Sequence, residues 1–150
     1  MNSMVKIGTT LFAFSAIAAG LLAGTNQMTA PKIAVLNEKA NNEARMQVLP
    51  EAKEFKKVEE GQYKSAGAAT VREVFEGSNG SEKAGYTIKA APSGYGGEVE
   101  ITIGISKDGK ISGVSIGNNS ETPGLGAKSA DPAFNGQYKG KEANRSYKGW

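Results

Sequence analysis

From Ile7 to Gly24 the chain carries no charged side chain, and the uncharged run continues to Pro31, between Lys6 and Lys32. Rich in Leu, Ala, Ile and Phe, the Ile7–Gly24 stretch makes a helix of roughly 27 Å at ~1.5 Å per residue, close to the hydrocarbon thickness of a bilayer. No soluble fold of this size hides such a segment easily, so it must either stay in a membrane or be removed. Two readings are open. In one it is a retained anchor, residues 1–28, with Gly8, Gly20 and the neighbouring Ser, Thr and Ala positions giving a small-residue surface for another transmembrane helix. In the other it is a signal peptide, with Lys6 as the basic end and the cut after Ala23 or Gly24. Both leave Lys6 in the cytoplasm and put the bulk of the chain outside; the anchor reading makes it a single-pass protein of the cell (inner) membrane with an extracytoplasmic domain.

Beyond the anchor, Pro31 to Leu49 is rich in helix formers, and Leu36, Ala40, Ala44 and Val48 recur every four residues. Pro50 ends this stretch, which predicts a stalk helix. Glu51 to Tyr63 is polar, with Lys and Glu interleaved, and is expected to form a short helix and connector. Residues 29–60 thus read as stalk and connector, and 61–150 as the folded domain.

In that domain the pattern switches to a two-residue period. Thr70–Phe75 is expected as a first strand, ended by Gly77-Ser78-Asn79-Gly80, and Gly85–Ala90 as a second, closed by Pro92. Val99, Ile101, Ile103 and Ile105 then alternate with Glu100, Thr102, Gly104 and Ser106, as in an antiparallel strand with one buried face. Lys107-Asp108-Gly109-Lys110 supplies a tight turn, because Asp-Gly suits left-handed backbone positions. The return strand carries Ile111, Val114 and Ile116, with a bulge expected at Gly113. Ser129-Ala130-Asp131-Pro132 looks like a helix start, and Phe134 and Tyr138, four apart, are expected to pack on the sheet. The fold class is therefore α+β, an antiparallel sheet with helices on one side.

Composition removes most protein-borne chemistry. With no Cys and no His there is no thiolate for an iron–sulfur cluster, no imidazole for a catalytic triad, and no ordinary zinc site. Any redox role must sit on an organic cofactor. A net charge of +3, spread over mixed Lys and Glu, argues against nucleic-acid binding. What remains is Glu121-Thr122-Pro123-Gly124-Leu125-Gly126, a stiff loop directly after the hairpin. It offers backbone N–H groups, a Leu side chain and two polar side chains to a flat or anionic ligand.

The order of an N-terminal membrane helix, Pro50 after Val48-Leu49, Gly94-Tyr95-Gly96-Gly97 before the Ile-alternating strand, and then Glu121–Gly126 with Lys128 behind it resembles the FMN-binding domain family. Within it the chain is most similar to the G subunits of the Rnf ion-translocating ferredoxin:NAD+ oxidoreductases. A similar loop occurs in the corresponding subunit of the sodium-pumping NADH:quinone oxidoreductase. The resemblance implies a membrane-anchored electron carrier whose FMN relays electrons, derived from ferredoxin or NADH, inside a complex that moves Na+ or H+. Its partners would be the other membrane subunits, including a second flavin-carrying one.

It also implies site roles. Leu125 is the candidate for apolar contact with the flavin ring. The N–H groups of Gly124, Leu125 and Gly126 and the Thr122 hydroxyl are candidate donors. Glu121 either meets the flavin or braces the loop, and Lys128 either lends charge near ring or phosphate or is a solvated surface Lys. Tyr95 and Gly96-Gly97 would shape the rim. No side chain is expected to act as acid, base or metal ligand.

The chain departs from the family in one respect. The family's phosphoester to a Thr lies in a Ser/Thr-Gly-Ala-Thr/Ser-x-Thr pattern C-terminal to the loop, and no such pattern follows Gly126. Ser65-Ala66-Gly67-Ala68-Ala69-Thr70 shares residue types with it but in the wrong order and on the wrong side of the hairpin, so it reads as a connector. The expectation is a C-terminally incomplete copy. The missing pattern also leaves room for a non-redox scaffold module on the same fold.

Overall fold

The computed structural model describes residues 3–63 and 70–143. The Ser65–Ala69 part of the near-match and the last residues before Trp150 lie outside them. Two compact units are resolved, Met1–Ala40 and Asn41–Trp150.

Helix α1 begins at Ser3 and continues without interruption to Val48; the first unit holds it as far as Ala40, and its last turns, from Asn41, belong to the second. Anchor and stalk were expected as separate helices meeting near Pro31, yet Pro31 sits inside α1. Proline removes one helix hydrogen bond there. Just before it, hydroxyls turn back onto the helix: Thr25 donates to the Leu21 carbonyl at 2.8 Å and Thr29 to the Thr25 carbonyl at 2.9 Å. Such back-bonding keeps a hydroxyl satisfied without water. No residue from Ser3 to Ala40 is buried, and Phe12, Phe14, Leu21 and Leu22 stand out on the surface. α1 is long and apolar enough to cross a membrane, and an apolar surface on every side of a helix is stable only against lipid or another chain.

The second unit is a five-stranded sheet in the order β1 (Glu54–Lys57), β2 (Val71–Asn79), β3 (Glu82–Ala90), β4 (Ile101–Ser106) and β5 (Ile111–Ile116), all neighbours antiparallel. Two expectations are corrected here. Residues 54–57 form an edge strand rather than a helix, with Phe55 opposite Gly77 and packed on the core; a 3-10 turn over Glu60–Gln62 follows. The Gly77–Gly80 segment does not end β2. Asn79 pairs with Glu82 across Gly80-Ser81, and Gly77 is kept small because a Cβ there would lie 2.6 Å from the Leu49 side chain.

Register separates the two faces. Glu73, Phe75, Thr87, Lys89, Thr102, Gly104 and Gly113 share one face; Val74, Ile88, Ile101, Ile103, Val114 and Ile116 share the other. The last turns of α1 and the residues after it cover the first, more polar face. Leu49 is wholly buried there among Ala52 and Ala84, a burial worth about 2 kcal/mol. Val48 sinks onto the paired Gly104 and Gly113: a Cβ on Gly104 would lie 2.1 Å from the Val48 carbonyl oxygen. The bulge in β5 falls on Ser112, beside Gly113, and the Ser112 hydroxyl donates to that same Val48 carbonyl.

Arg45, 4 % exposed, lies over the Phe75 ring at 3.7 Å, donates to Asn42 Oδ1 at 2.6 Å and faces Glu73 at 3.7 Å. Lys89 reaches Asn41 Oδ1 at 2.9 Å and Glu100 at 3.3 Å. Helical segments therefore flank both faces, not one: a 3-10 turn over Gly126–Ala130, α2 (Pro132–Asn135) and a further 3-10 turn over Gly136–Tyr138 lie on the Ile side. Asp131 precedes α2 and Pro132 is its first residue, as the sequence implied.

Candidate functional site

The apolar residues of β4 and β5 are only half buried, because the sheet's tight packing is on the opposite face. They form the floor of a cleft of about 440 Å³, with Ile101, Ile103, Ile111, Val114 and Ile116 below, Phe134 and Tyr138 along one wall, and Pro92, Glu121, Gly126 and Ser129 at its margin. The Phe134 and Tyr138 rings meet edge-on, their centroids 6.1 Å apart, a favourable aromatic arrangement. A cleft of this size and apolar lining is what a small organic ligand needs.

Two loops rise at one end. Ser93 to Glu98 is a tight hairpin held by a bridge between its ends and by the Gly94 N–H on the Gly97 carbonyl at 2.7 Å; Tyr95 at its tip is 97 % exposed. In the other, the Leu125 N–H donates to the Thr122 carbonyl at 3.1 Å, closing a turn with Pro123 second and Gly124 third. Gly124 has φ +81°, so this is a type II turn, which demands glycine-like freedom at that place. Leu125 follows, 73 % exposed. Lys128 lies exposed on the 3-10 turn that begins at Gly126, its N–H on the Leu125 carbonyl at 3.0 Å.

Glu121 joins the loops. Its Oε1 accepts the Gly96 N–H at 2.9 Å, and its own N–H is held by Asn119 Oδ1 at 3.2 Å. The sequence left two roles open for Glu121, and this geometry is that of a brace. Glu121, Thr122, Gly124, Leu125, Gly126 and Lys128 thus form one continuous element, with Tyr95 and Gly97 on the adjoining hairpin. Of the eight, Glu121 and Gly126 line the cleft. Sequence reasoning missed the cleft itself. Its signal was present in the Ile-rich alternation of both strands, which reads equally well as protein core.

Chemically the arrangement offers an apolar floor, hydroxyls at Thr122 and Ser129, and a cation at Lys128. Among the described residues no cluster of acidic side chains is placed to hold a metal ion.

Comparison with known proteins agrees with this anatomy. Residues 94–149 match the FMN-binding domain model, and residues 1–48 match that of the RnfG N-terminal region. The chain is 42 % identical over 146 residues to the G subunit of the Na(+)-translocating ferredoxin:NAD(+) oxidoreductase complex of Acetobacterium woodii, covering 92 % of this chain and 70 % of that protein. It is 32 % identical to the G subunit of the ion-translocating oxidoreductase complex of Methanosarcina acetivorans (91 % and 73 % covered). With the G subunit of the proton-translocating ferredoxin:NAD(+) oxidoreductase complex of Clostridium ljungdahlii the identity is 29 % (95 % and 72 %). A membrane-length helix at one end, a glycine-looped antiparallel sheet at the other and this identity to G subunits over nearly the whole chain lead to one conclusion: the chain belongs to the G-subunit family of the Rnf ion-translocating ferredoxin:NAD+ oxidoreductase complexes.

Proposed function

We propose that this chain is the FMN-carrying subunit of such a complex, passing electrons from ferredoxin or NADH while the assembly moves Na+ or H+. The observation that carries the reading is the pair of glycine loops, bound together through Glu121 and presenting Tyr95 and Leu125 beside an apolar cleft. The residues present fit a flavin: the apolar wall suits a planar ring, and Lys128 with the hydroxyls of Thr122 and Ser129 suits its phosphate and polar edge. Bound FMN would supply the redox chemistry that a chain without Cys or His lacks. Leu125 and Tyr95 would cover the ring and keep bulk water off it. The type II turn would fix where Leu125 points, and Lys128 would add positive potential. No side chain need transfer a proton.

Residues 1–28 serve in this proposal as a single-pass anchor in the cell membrane, amino terminus inside. Residues 61–150 serve as the extracytoplasmic flavin region, and residues 29–60 lead into it and lend it β1. The family's covalent phosphoester belongs to the proposal at the level of the family only. No Thr among residues 1–150 is assigned as its site, because the attachment pattern does not occur there. The partners are the complex's other membrane subunits, one of them also carrying flavin.

Purification through a tag on this chain from membranes of the native host tests the proposal. The expected result is co-purification of other integral membrane subunits, flavin in the preparation and ferredoxin-dependent NAD+ reduction. A chain that purifies alone and free of flavin would refute it.

A further inference from the structure

The hairpin at Tyr95 leads into β4 and the turn at Leu125 follows β5, so in this antiparallel pair both stand at the same end, and one carboxyl stands between them. Besides accepting the Gly96 N–H, Glu121 fills the space of two absent side chains. A Cβ on Gly94 would lie 2.3 Å from Oε1, and a Cβ on Gly126 would lie 2.3 Å from Oε2. Gly96 is as tightly met by the backbone, its Cβ position being 2.1 Å from the Ser120 carbonyl oxygen. Oε1 is thus hydrogen-bonded to the Tyr95 hairpin while Oε2 lies close over Gly126, and a side chain on either Gly94 or Gly126 would collide with that carboxyl.

We infer that Glu121, at the margin of the cleft, is a positioning residue: it sets the spacing between the Tyr95 hairpin and the Leu125 turn through its reach and not through its charge. The inference rests on the flavin reading for what the loops hold, but not for the brace itself. A brace needs an acceptor oxygen at the right reach and needs no charge. Glutamine keeps both reach and acceptor. Aspartate keeps the charge but falls one methylene (about 1.5 Å) short, beyond hydrogen-bond distance of Gly96. A group acting on the ligand through its charge would rank the two the other way.

The test uses the full chain in detergent micelles, wild type, Glu121→Gln and Glu121→Asp, with FMN titrated by fluorescence quenching and amide exchange at Gly96 followed by NMR. Expected are a Glu121→Gln affinity within about threefold of wild type, a Glu121→Asp affinity about tenfold weaker, and Gly96 protection in the same order. If Glu121→Asp also melts early, the isosteric Glu121→Gln decides alone, and its loss of affinity overturns the inference. Free exchange at Gly96 in the wild type, or Asp outperforming Gln, overturns it as well. If the wild type binds no FMN while Gly96 protection still follows acceptor reach, the flavin reading fails and the brace stands.

Discussion

Replacing Gly104 by Ala attacks the contact on which the second unit is built. The added methyl would sit 2.1 Å from the Val48 carbonyl oxygen, 2.5 Å from the Ser112 hydroxyl and 2.7 Å from the Val48 carbonyl carbon. Ordinary van der Waals contact begins near 3.4 Å, so the end of α1 must retreat by about 1.3 Å or β4 must bow away. Neither can be absorbed by a flexible side chain, since two of the three atoms are backbone. Overpacking of this kind costs about 1–3 kcal/mol. Retreat also breaks the Ser112–Val48 hydrogen bond, about 1 kcal/mol, and loosens Leu49. A loss of about 2–4 kcal/mol follows, a large fraction of a domain's total of roughly 5–15. At about 4–8 °C per kcal/mol for a domain of this size, the unfolding temperature should fall by at least ~8 °C. Circular dichroism at a strand-sensitive wavelength, on the full chain in detergent, reads this directly. Gly136→Ala, with nothing within 4 Å of the added atom, is the control. A Gly104→Ala protein that melts within about 2 °C of wild type would show that α1 does not seat in this groove, and the account of the core would be wrong.

Arg45→Ala should cost about 2–4 kcal/mol in denaturant unfolding through lost stacking on Phe75 and lost pairing with Glu73, and Arg45→Lys should restore less than half, because an ammonium lacks the planar stacking face. Gly124→Ala meets no atom but must hold φ +81°; it should lower stability by about 1 kcal/mol, with Gly124→Asn closer to wild type, as unfolding curves would show. Glu82 is held below its ordinary value by the Lys107 ammonium, hydrogen-bonded at 2.8 Å. Its folded pKa is thus below the unfolded one, so the stability it adds is complete above the ordinary carboxylate range and disappears as pH falls through the lowered value. Lys107→Met should flatten that part of the acid limb in unfolding measured against pH.

How far the sequence speaks can be judged element by element. β4 and β5 were legible because Ile and Val alternate over a full strand and Asp108-Gly109 dictates the turn between them. The 121–126 loop was legible because Pro and Gly leave few backbone choices. β1 was not, since Glu54-Phe55-Lys56-Lys57 has one apolar residue and no periodicity; it is a strand because β2 offers it an edge and Gly77 makes room. The covered face was read from apolarity, which identified Ile101 and Ile103 as core. The chain instead closes tightly over Thr102 and Gly104, because only the glycine side admits a helix backbone. That preference is steric and long-range, and it needs Val48 placed before it can be seen. Glu121's reach to Gly96 is of the same kind: a contact across 25 residues that no local pattern announces.

The seating of Val48 and Leu49 also bears on where the chain can be divided. Everything up to Ala40 can be removed without touching a buried residue of the second unit. A cut after Pro50, at the edge of what reads as a polar connector, would take away Arg45, Val48 and Leu49 and leave the glycine groove and Phe75 open to water. A water-soluble fragment for spectroscopy or crystallisation should therefore start at or before Asn41. In architectural terms, the last two turns of α1 are the missing layer of the sheet, contributed in advance by the segment that precedes it.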